Sequence, residues 1–519
     1  MSSQSFNPLN EYKSVYAPRF KQIAETTFNE LDVEAQVEKE ANRSTCKEIY
    51  ALEEDVSTAK KQIGWWTFGC VILWILAVLC IWMVIFPAKS NDNLYIITRI
   101  VPAIFAVLFL FIKVHPTIKR LKGLRNDLNS TLDDLKNKAF KQMESLNRLF
   151  RWDMFSRMMS STMPQISFDP YCSAERIEDF VNNFGLEYDS SPNTSVLYTH
   201  SGTINGNPFI LYRTKEMKMI NKKYEGSKRV DVIDYTYRDK YGTHSSTSKE
   251  RVWATYYAPC PTYQETTRLV YGCSAIPELN FKRESTTRKG NRLQRAKFDK
   301  LFKLSECNNP ELFSMMFAPI VQDRFLDLLK DIEVGYGDYF NFEKKGKITT
   351  IIPNHVQKLC LDMNPQQFHG FDFEKVRNNF IEANINYFKA VYFAFAPVLA
   401  ISEYQKIRPD ADVEHSTYSY FELESLANLL SENFKHDECK TECIIKTEYQ
   451  HDSTVLLSAH GYKIEQKWAT AIGSTKKQAF DVQVKYDNYV PVVGYSKIQL
   501  HSGSSMYRDQ IAFQFIEDK

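Results

Sequence analysis

The feature that most constrains the fold is an uncharged run of residues from Gly64 to Phe86. A helix of this length can cross a hydrocarbon layer of about 30 Å, because it rises about 1.5 Å per residue. After a short polar turn a second apolar run extends from Leu94 to Val114. The pattern predicts a transmembrane hairpin of two helices, 64–86 and 94–114, embedded in a lipid bilayer.

Aromatic side chains near the ends of both runs support this interpretation, because Trp and Tyr favour the headgroup region of a bilayer. Arg99 lies about one turn inside the second run, where its guanidinium could reach the headgroups. The alternative for Arg99 is a pore-lining or partner-contacting role. The predicted membrane-anchor residues are Trp65, Trp66, Trp82, Tyr95 and Arg99.

Basic residues predict the orientation of the hairpin. They flank both of its ends, at Lys60 and Lys61 and again at Lys119 and Arg120, whereas the connecting turn has only Lys89. Positive flanks stay on the cytoplasmic side. We therefore expect a multi-pass protein of the cell inner membrane with both termini cytoplasmic, inserted by the hairpin itself because the N-terminus has no apolar signal segment.

Helical patterns adjoin the hairpin on both sides. Apolar residues between Ile49 and Ile63 recur at steps of three and four, which is typical of one helix face. Between Leu121 and Phe150 they follow an eleven-residue period, which favours a long, nearly straight packing seam. The two seams predict a coiled-coil-like stalk, through which copies could self-associate; alternatively, each seam packs on the globular part.

The remaining sequence predicts cytoplasmic α+β domains with antiparallel sheets. Ser195–His200 and Pro208–Arg213 alternate as strands do, and Asn205-Gly206 between them is a strong hairpin signal. Further strands are predicted at 230–237 and 251–257, separated by a polar loop. One helix with a continuous apolar stripe is predicted over 310–332, and the uncharged run 390–401 is expected to be a buried core helix, with a third membrane span as the alternative. The predicted fold class is therefore an α+β membrane protein, with the hairpin continued by the stalk. The predicted segments are an N-terminal helix (1–63), the hairpin (64–114), a stalk helix (115–163), a first α+β domain (164–280), a basic connector with a helix and a strand hairpin (281–370) and a C-terminal α+β domain (371–519).

Charge and motif content narrow the function classes. Lys and Arg total 65 against 63 Asp and Glu, so no nucleic acid is expected as a partner held by bulk charge. The ten cysteines form no regular framework and are expected to be reduced. The sequence has no phosphate-binding loop, zinc-protease motif or serine-hydrolase motif. We therefore predict no catalytic residue and no cofactor.

A basic connector lies between Phe281 and Lys303, with nine Lys or Arg and two acidic residues. The functional interpretation is a patch for anionic lipid or another acidic partner. The alternative is a solvated loop. The candidate patch residues are Lys282, Arg283, Arg288, Lys289, Arg292, Arg295 and Lys297.

Two weak clusters of possible metal ligands occur. One places a His and two Cys on one helix face, where they could bind zinc but lack a fourth ligand. The other alternates carboxylates, as hard cations prefer, but lacks the glycine and distant glutamate of a calcium loop. Chance spacing and a solvated loop are the alternatives. The residues are His436, Cys439 and Cys443 in the first cluster and Asp410, Asp412, Glu414 and His415 in the second.

The order of elements resembles a group of bacterial membrane proteins known only as domain of unknown function 3137. The resemblance is carried by SVLYTHSGTINGNPFILY (195–212) and by FDKLFKLSECNNPELFSMMFAPIVQDRFLDLLKDI (298–332). A Phe-x-x-x-Phe segment with a downstream helix ending in Leu-Leu is similar to Phe298, Phe302 and 325–329. The resemblance covers residues 10 to 365 roughly and implies membrane architecture without an activity. The polar insert 215–249, the basic connector and the region after Gly370 depart from it.

These observations lead to one main functional expectation. We predict a membrane protein whose cytoplasmic binding or scaffold region is tethered by the helical stalk and binds a protein or lipid partner. One alternative is a membrane-bound metal-dependent hydrolase that uses the weak ligand clusters. Another is an oligomeric two-span channel or mechanosensor, which Arg99 would favour.

Overall fold

The structure, a computed structural model, describes residues 6–85, 104, 107–187, 191–285, 297–356, 361, 363–408, 413–429, 442–449, 454–476, 478–500 and 513–516. The chain forms two compact units. The first unit comprises Met1–Ile23, Arg151–Met363 and Asn384–Lys519, and the second comprises Ala24–Phe150 and Asn364–Ala383.

Helices occur in both units, and several begin where the sequence provides a cap or a proline. Asn7 and Asn309 each accept backbone N–H bonds ahead of a proline in the first turn, so both helix starts are fixed locally. The helices are α1 (Pro8–Glu11), α2 (Ala17–Ala35), α3 (Lys39–Ile85), α4 (His115–Gln142), α5 (Glu144–Asn147), α6 (Met154–Thr162), α7 (Ala174–Asp179), α8 (Phe298–Phe302), α9 (Pro310–Met316), α10 (Pro319–Lys330), α11 (Phe373–Ala400) and α12 (Tyr420–Leu429), with π or 3-10 turns at Tyr12–Tyr16, Leu110–Val114, Phe180–Phe184, Pro365–Phe368 and Ser402–Gln405.

The strands belong to the first unit and form two antiparallel sheets. In the part of the chain that the structure describes, one sheet has the order β1-β2-β3-β4-β8-β7-β5-β6 and the other β12-β11-β10-β9. The α+β class with antiparallel sheets is thus confirmed. The strands are β1 (Ile166–Phe168), β2 (Thr194–Ile204), β3 (Asn207–Asp239), β4 (Gly242–Gly272), β5 (Phe281–Arg283), β6 (Leu304–Cys307), β7 (Phe340–Lys345), β8 (Ile348–Pro353), β9 (Ile444–Tyr449), β10 (Thr454–Ser474), β11 (Ala479–Leu500) and β12 (Phe513–Ile516).

The predicted transmembrane hairpin is wrong. Among the described residues, none of the helices combines the length and apolarity that a membrane crossing requires. The first predicted span is only the end of the 47-residue helix α3, whose first half is rich in charged residues. Most of the second predicted span (94–103, 105 and 106) lies outside the described residues. The inner-membrane location with cytoplasmic termini, which rested on the hairpin, is corrected with it.

In the second unit, the two predicted seams pack against each other. Ile49 and Leu52 of α3 contact Leu132, Leu135 and Ala139 of α4 in one apolar cluster. The pairing of the two helix faces is therefore confirmed between these residues. It belongs to a compact unit and does not continue a membrane hairpin.

Two buried asparagines hold the turn before α11 in the same unit. The Asn42 side chain donates to the Phe371 carbonyl at 2.7 Å and accepts from the Phe373 N–H at 3.1 Å. Asn147 makes the equivalent pair of bonds with Gly370, at 3.0 and 3.2 Å. The side chains satisfy backbone groups that the turn leaves unpaired.

In the first unit, the end of α11 is a core element. Residues 390–401 are all buried, and Arg324 of α10 donates to the Ala400 carbonyl at 3.0 Å. The expected buried helix is therefore confirmed. The predicted turn between β2 and β3 is also confirmed, because Asn205 and Gly206 both have positive φ, at 49° and 80°.

Two long hairpins extend from the sheets and cross each other. The first arm (217–268) is the part of β3 and β4 beyond the strand pairs with β2 and β8. The second arm (461–496) is the equivalent part of β10 and β11. Their apolar faces pack in one cluster, in which Val230, Val232, Val252 and Ala254 meet Val482 and Val484. An isolated two-stranded hairpin is only marginally stable, so the crossing stabilises both arms.

Candidate functional site

The predicted metal ligands are not assembled into a described site. Asp410, Asp412, His436 and Cys439 lie outside the described residues. Cys443 packs beside an apolar cluster formed by α12, β9 and β10. Glu414 is exposed, and no group of three or more possible ligands occurs in the described ranges.

The predicted basic patch is only partly described. Arg288, Lys289, Arg292 and Arg295 lie outside the described residues, and Lys297 is exposed. Lys282 is half-buried and contacts Glu284 at 3.3 Å. Arg283 is fully buried, forms an ion pair with Asp338 and donates to the carbonyls of Phe302 and Phe340. Arg283 therefore has a structural role inside the sheet.

Three of the predicted membrane anchors, Trp65, Trp66 and Trp82, are residues of helix α3. Trp65 and Trp82 are exposed and Trp66 is half-buried, whereas Tyr95 and Arg99 lie outside the described residues. Because the hairpin prediction is wrong, these residues are no longer assigned as membrane anchors.

A buried polar centre forms where β1, β2 and α7 meet the segment before α12. Asp169 accepts two bonds from Arg176, at 2.8 and 2.9 Å, and one from Ser201 at 2.6 Å. His415 Nε2 lies 3.3 Å from the same carboxylate, and its Nδ1 lies 2.9 Å from Ser173 Oγ. A Ser, a His and an Asp are therefore in sequential contact, as in a hydrolase triad.

The surroundings of this triad-like arrangement argue for a structural role. Ser173 is fully buried, and its hydroxyl accepts the Arg176 N–H as the cap of α7. Burial disfavours the ionised carboxylate, but bonds from His415, Arg176 and Ser201 outweigh it and hold the pKa of Asp169 well below its usual range. Because Arg176 already neutralises Asp169, the carboxylate is a poor stabiliser of a histidine cation.

The neighbouring thiol is also unsuited to nucleophilic chemistry. Cys172 is fully buried, and burial raises its pKa to about 12. The thiolate, and not the thiol, is the reactive form. Ser419 and Glu422 instead bind the backbone of Cys172, which fastens α12 to this region.

A second buried carboxylate completes this attachment. Glu424 of α12 accepts the Val196 N–H at 2.7 Å, next to a bulge in β2, and pairs with Lys446 at 2.6 Å. Burial raises the pKa of Glu424, and Lys446 opposes this shift. The centre supplies hydrogen-bond partners to buried backbone groups and to both carboxylates, as buried polar groups usually require, whereas Nη1 of Arg176 has no hydrogen-bond partner among the described residues.

A further exposed surface, with aromatic and basic side chains, lies on the first arm. Successive strand residues point to opposite faces, and Val252 and Ala254 point toward the second arm. Residues of the other parity therefore point outward, and Trp253 and Tyr257 are 59% and 60% exposed. We call this outward surface the Trp253 face. Its residues are Lys223, Arg229, Arg251, Trp253 and Tyr257.

Two arginines face each other across the strands of the Trp253 face. Arg229 is the direct partner of Arg251, and both side chains are exposed. Like charges at such a position destabilise a strand pair. Neither guanidinium pairs with a carboxylate of the described residues, whereas Lys223 contacts Glu225 at 2.8 Å. The Arg251 guanidinium lies 6.0 Å from the Trp253 ring centroid, within cation–π range.

Sequence reasoning missed this face, although a signal was present. Arg251, Trp253 and Tyr257 share one parity within a strand that we predicted. Their partners on β3 could not be identified, because the register depends on a turn that we placed in a longer loop. Comparison with known proteins gives no further assignment: no family model matches the chain, and neither does any curated protein or solved structure. The resemblance to the bacterial membrane proteins therefore stays a prediction.

Proposed function

We propose that this protein is a binding or scaffold protein that recognises a protein partner through the Trp253 face. The observation that carries the proposal is the combination of exposed Trp253 and Tyr257 with the opposed Arg229 and Arg251. Trp, Tyr and Arg are the residues most enriched among those that dominate binding energy at protein interfaces.

The position of the face supports the proposal. Its strand is held from behind, because Val252 and Ala254 are buried against the second arm. The Trp253 carbonyl also lies close to Gly473 of that arm. A surface on a fixed backbone loses little entropy on binding, so more of the contact energy appears as affinity.

The second arm offers a matched control. Trp468 is 63% exposed and faces Lys485 across its strand pair, so it is also an aromatic residue beside one cation. It lacks an opposed pair of arginines. If exposed tryptophans bound proteins nonspecifically, substitution at either position would reduce binding equally. A specific binding site predicts reduced binding only when Trp253 is substituted.

The experiment uses the full chain as bait in a lysate of its own source, as wild type, Trp253→Ala and Trp468→Ala. We expect some captured proteins to be lost with Trp253→Ala and retained with Trp468→Ala, measured by quantitative mass spectrometry. Equal recovery with both variants would overturn the proposal.

A further inference from the structure

We infer that the Arg229 and Arg251 pair receives a carboxylate-bearing segment of the partner, so that the Trp253 face recognises an acidic peptide stretch. This inference rests on the proposed function and specifies the chemistry of the partner. The two residues are direct cross-strand partners and both point outward.

Asp231 shares the face of the two arginines, two residues from Arg229 along β3, but forms no ion pair with either of them. Side chains at directly opposite positions have Cβ atoms about 4.5–5.5 Å apart, so two guanidinium groups there repel each other. A carboxylate between them would replace repulsion by charge-assisted hydrogen bonds, and each guanidinium can bind a carboxylate through two N–H groups. No described carboxylate of this chain pairs with either arginine.

The neighbouring aromatic ring adds apolar contact. The Arg251 guanidinium lies 6.0 Å from the Trp253 ring centroid. Cation–π attraction therefore favours a position of the guanidinium beside the exposed ring. Tyr257 is on the same face, opposite Lys223. A segment that alternates acidic and apolar residues could therefore place carboxylates at the arginines and an apolar side chain against Trp253.

A nucleic-acid strand fits the same face less well. Glu225 and Asp231 share the outward parity with Arg229, so carboxylates interrupt the basic residues along β3. A nucleic-acid groove instead needs cations that follow successive phosphates.

The test measures binding of short labelled peptides to the full chain by fluorescence polarisation. One peptide alternates glutamate with leucine and phenylalanine, and its control has glutamine in place of every glutamate. We expect wild type to bind the glutamate peptide about tenfold or more tightly than the glutamine peptide, and more weakly as salt is raised. A short oligothymidylate serves as the nucleic-acid probe.

Charge reversal gives the decisive variants. Arg251→Glu and Arg229→Glu should each weaken binding of the glutamate peptide about tenfold or more, and the double variant should prefer a lysine peptide. Each single variant should keep or raise the melting temperature, because it turns a repulsive pair into an attractive one. Lys485→Glu, next to Trp468 on the other arm, should bind like wild type.

Several results would overturn the inference. These are unchanged peptide affinity in both single variants, tighter binding of oligothymidylate than of the glutamate peptide, and a lower melting temperature in both single variants. If the glutamate peptide fails to bind while Trp253→Ala still loses captured proteins, only this inference fails. If Trp253→Ala loses nothing, the proposed function fails as well.

Discussion

At the scale of single residues, we expect the buried Asp169 to contribute more to the stability of the first unit than an exposed ion pair does. It binds Arg176, Ser201 and His415 while almost fully buried. Asp169→Asn should lower the free energy of unfolding by about 3–5 kcal/mol, because it removes the closer of the two carboxylates that pair with the buried Arg176 and leaves only Asp179, at 3.8 Å. Urea denaturation measures this loss. Asp231→Asn, on the exposed face of the first arm, is the control and should change stability by less than about 0.5 kcal/mol.

The same carboxylate predicts a response to acid. The pKa of Asp169 is lower in the folded protein than its unfolded value of about 3.9. Its contribution is therefore complete above that value and is lost as the pH falls below it toward the folded pKa. Wild type should lose stability more steeply than Asp169→Asn below about pH 4. Parallel pH profiles of the two proteins would contradict this account.

Ser173 separates a structural from a catalytic interpretation of the same centre. Its buried hydroxyl caps α7 and contacts His415. We expect no labelling by a fluorophosphonate probe, and we expect Ser173→Ala to lower stability by about 1 kcal/mol through loss of the cap. Stoichiometric labelling that Ser173→Ala abolishes would instead identify a nucleophile.

At the scale of elements, the crossing of the two arms depends on close backbone approach. A Cβ on Gly226 would lie 2.7 Å from the Gln483 carbonyl oxygen, and one on Gly473 would lie 3.0 Å from that of Trp253. Alanine at either position should lower the free energy of unfolding by about 1–3 kcal/mol, since the arms must separate. Thermal and urea unfolding measure this change.

Gly123 in α4 provides the matched control for these substitutions. A Cβ at this helical position would meet nothing within 4 Å. Gly123→Ala should therefore raise stability by about 0.5–1 kcal/mol through helix propensity. If Gly226→Ala were as harmless as Gly123→Ala, the crossing would not be as tight as described.

Local signals predicted some elements well and failed for the arms. Asn205-Gly206 specified its turn because only positive φ fits there. By contrast, we expected short strands at 230–237 and 251–257 with a polar loop between them, whereas β3 and β4 are 33 and 31 residues long. Toward the tip of the first arm both faces of the strand pair are exposed to solvent. The alternation of apolar and polar residues that marks a half-buried strand is therefore missing there.

A second error concerns the predicted helix over 310–332, in which we overlooked the effect of Pro319. We predicted one helix over 310–332, but the chain forms α9 and α10 with a break at Phe317 and Ala318. Pro319 disfavours helical backbone at the residue before it and starts the next helix. The apolar stripe continued across the break and concealed it.

At the scale of the whole molecule, candidate sites were predicted from residues that lie close together in the sequence. The structure instead brings together residues from distant segments. His415 was predicted with Asp410 and Asp412 but contacts Asp169 and Ser173. Arg229 and Arg251 meet only through the register of a long hairpin. No local window could reveal such pairs, so the candidate site was largely beyond sequence reasoning.

The central claim is that the Trp253 face binds a protein partner, and site-specific photo-crosslinking tests it most directly. A photoreactive phenylalanine is placed at position 253 or, as control, at 468 in the full chain. We predict a discrete protein adduct from position 253 that Arg251→Glu abolishes and that position 468 does not give. The same adducts from both positions, or none from position 253, would contradict the account.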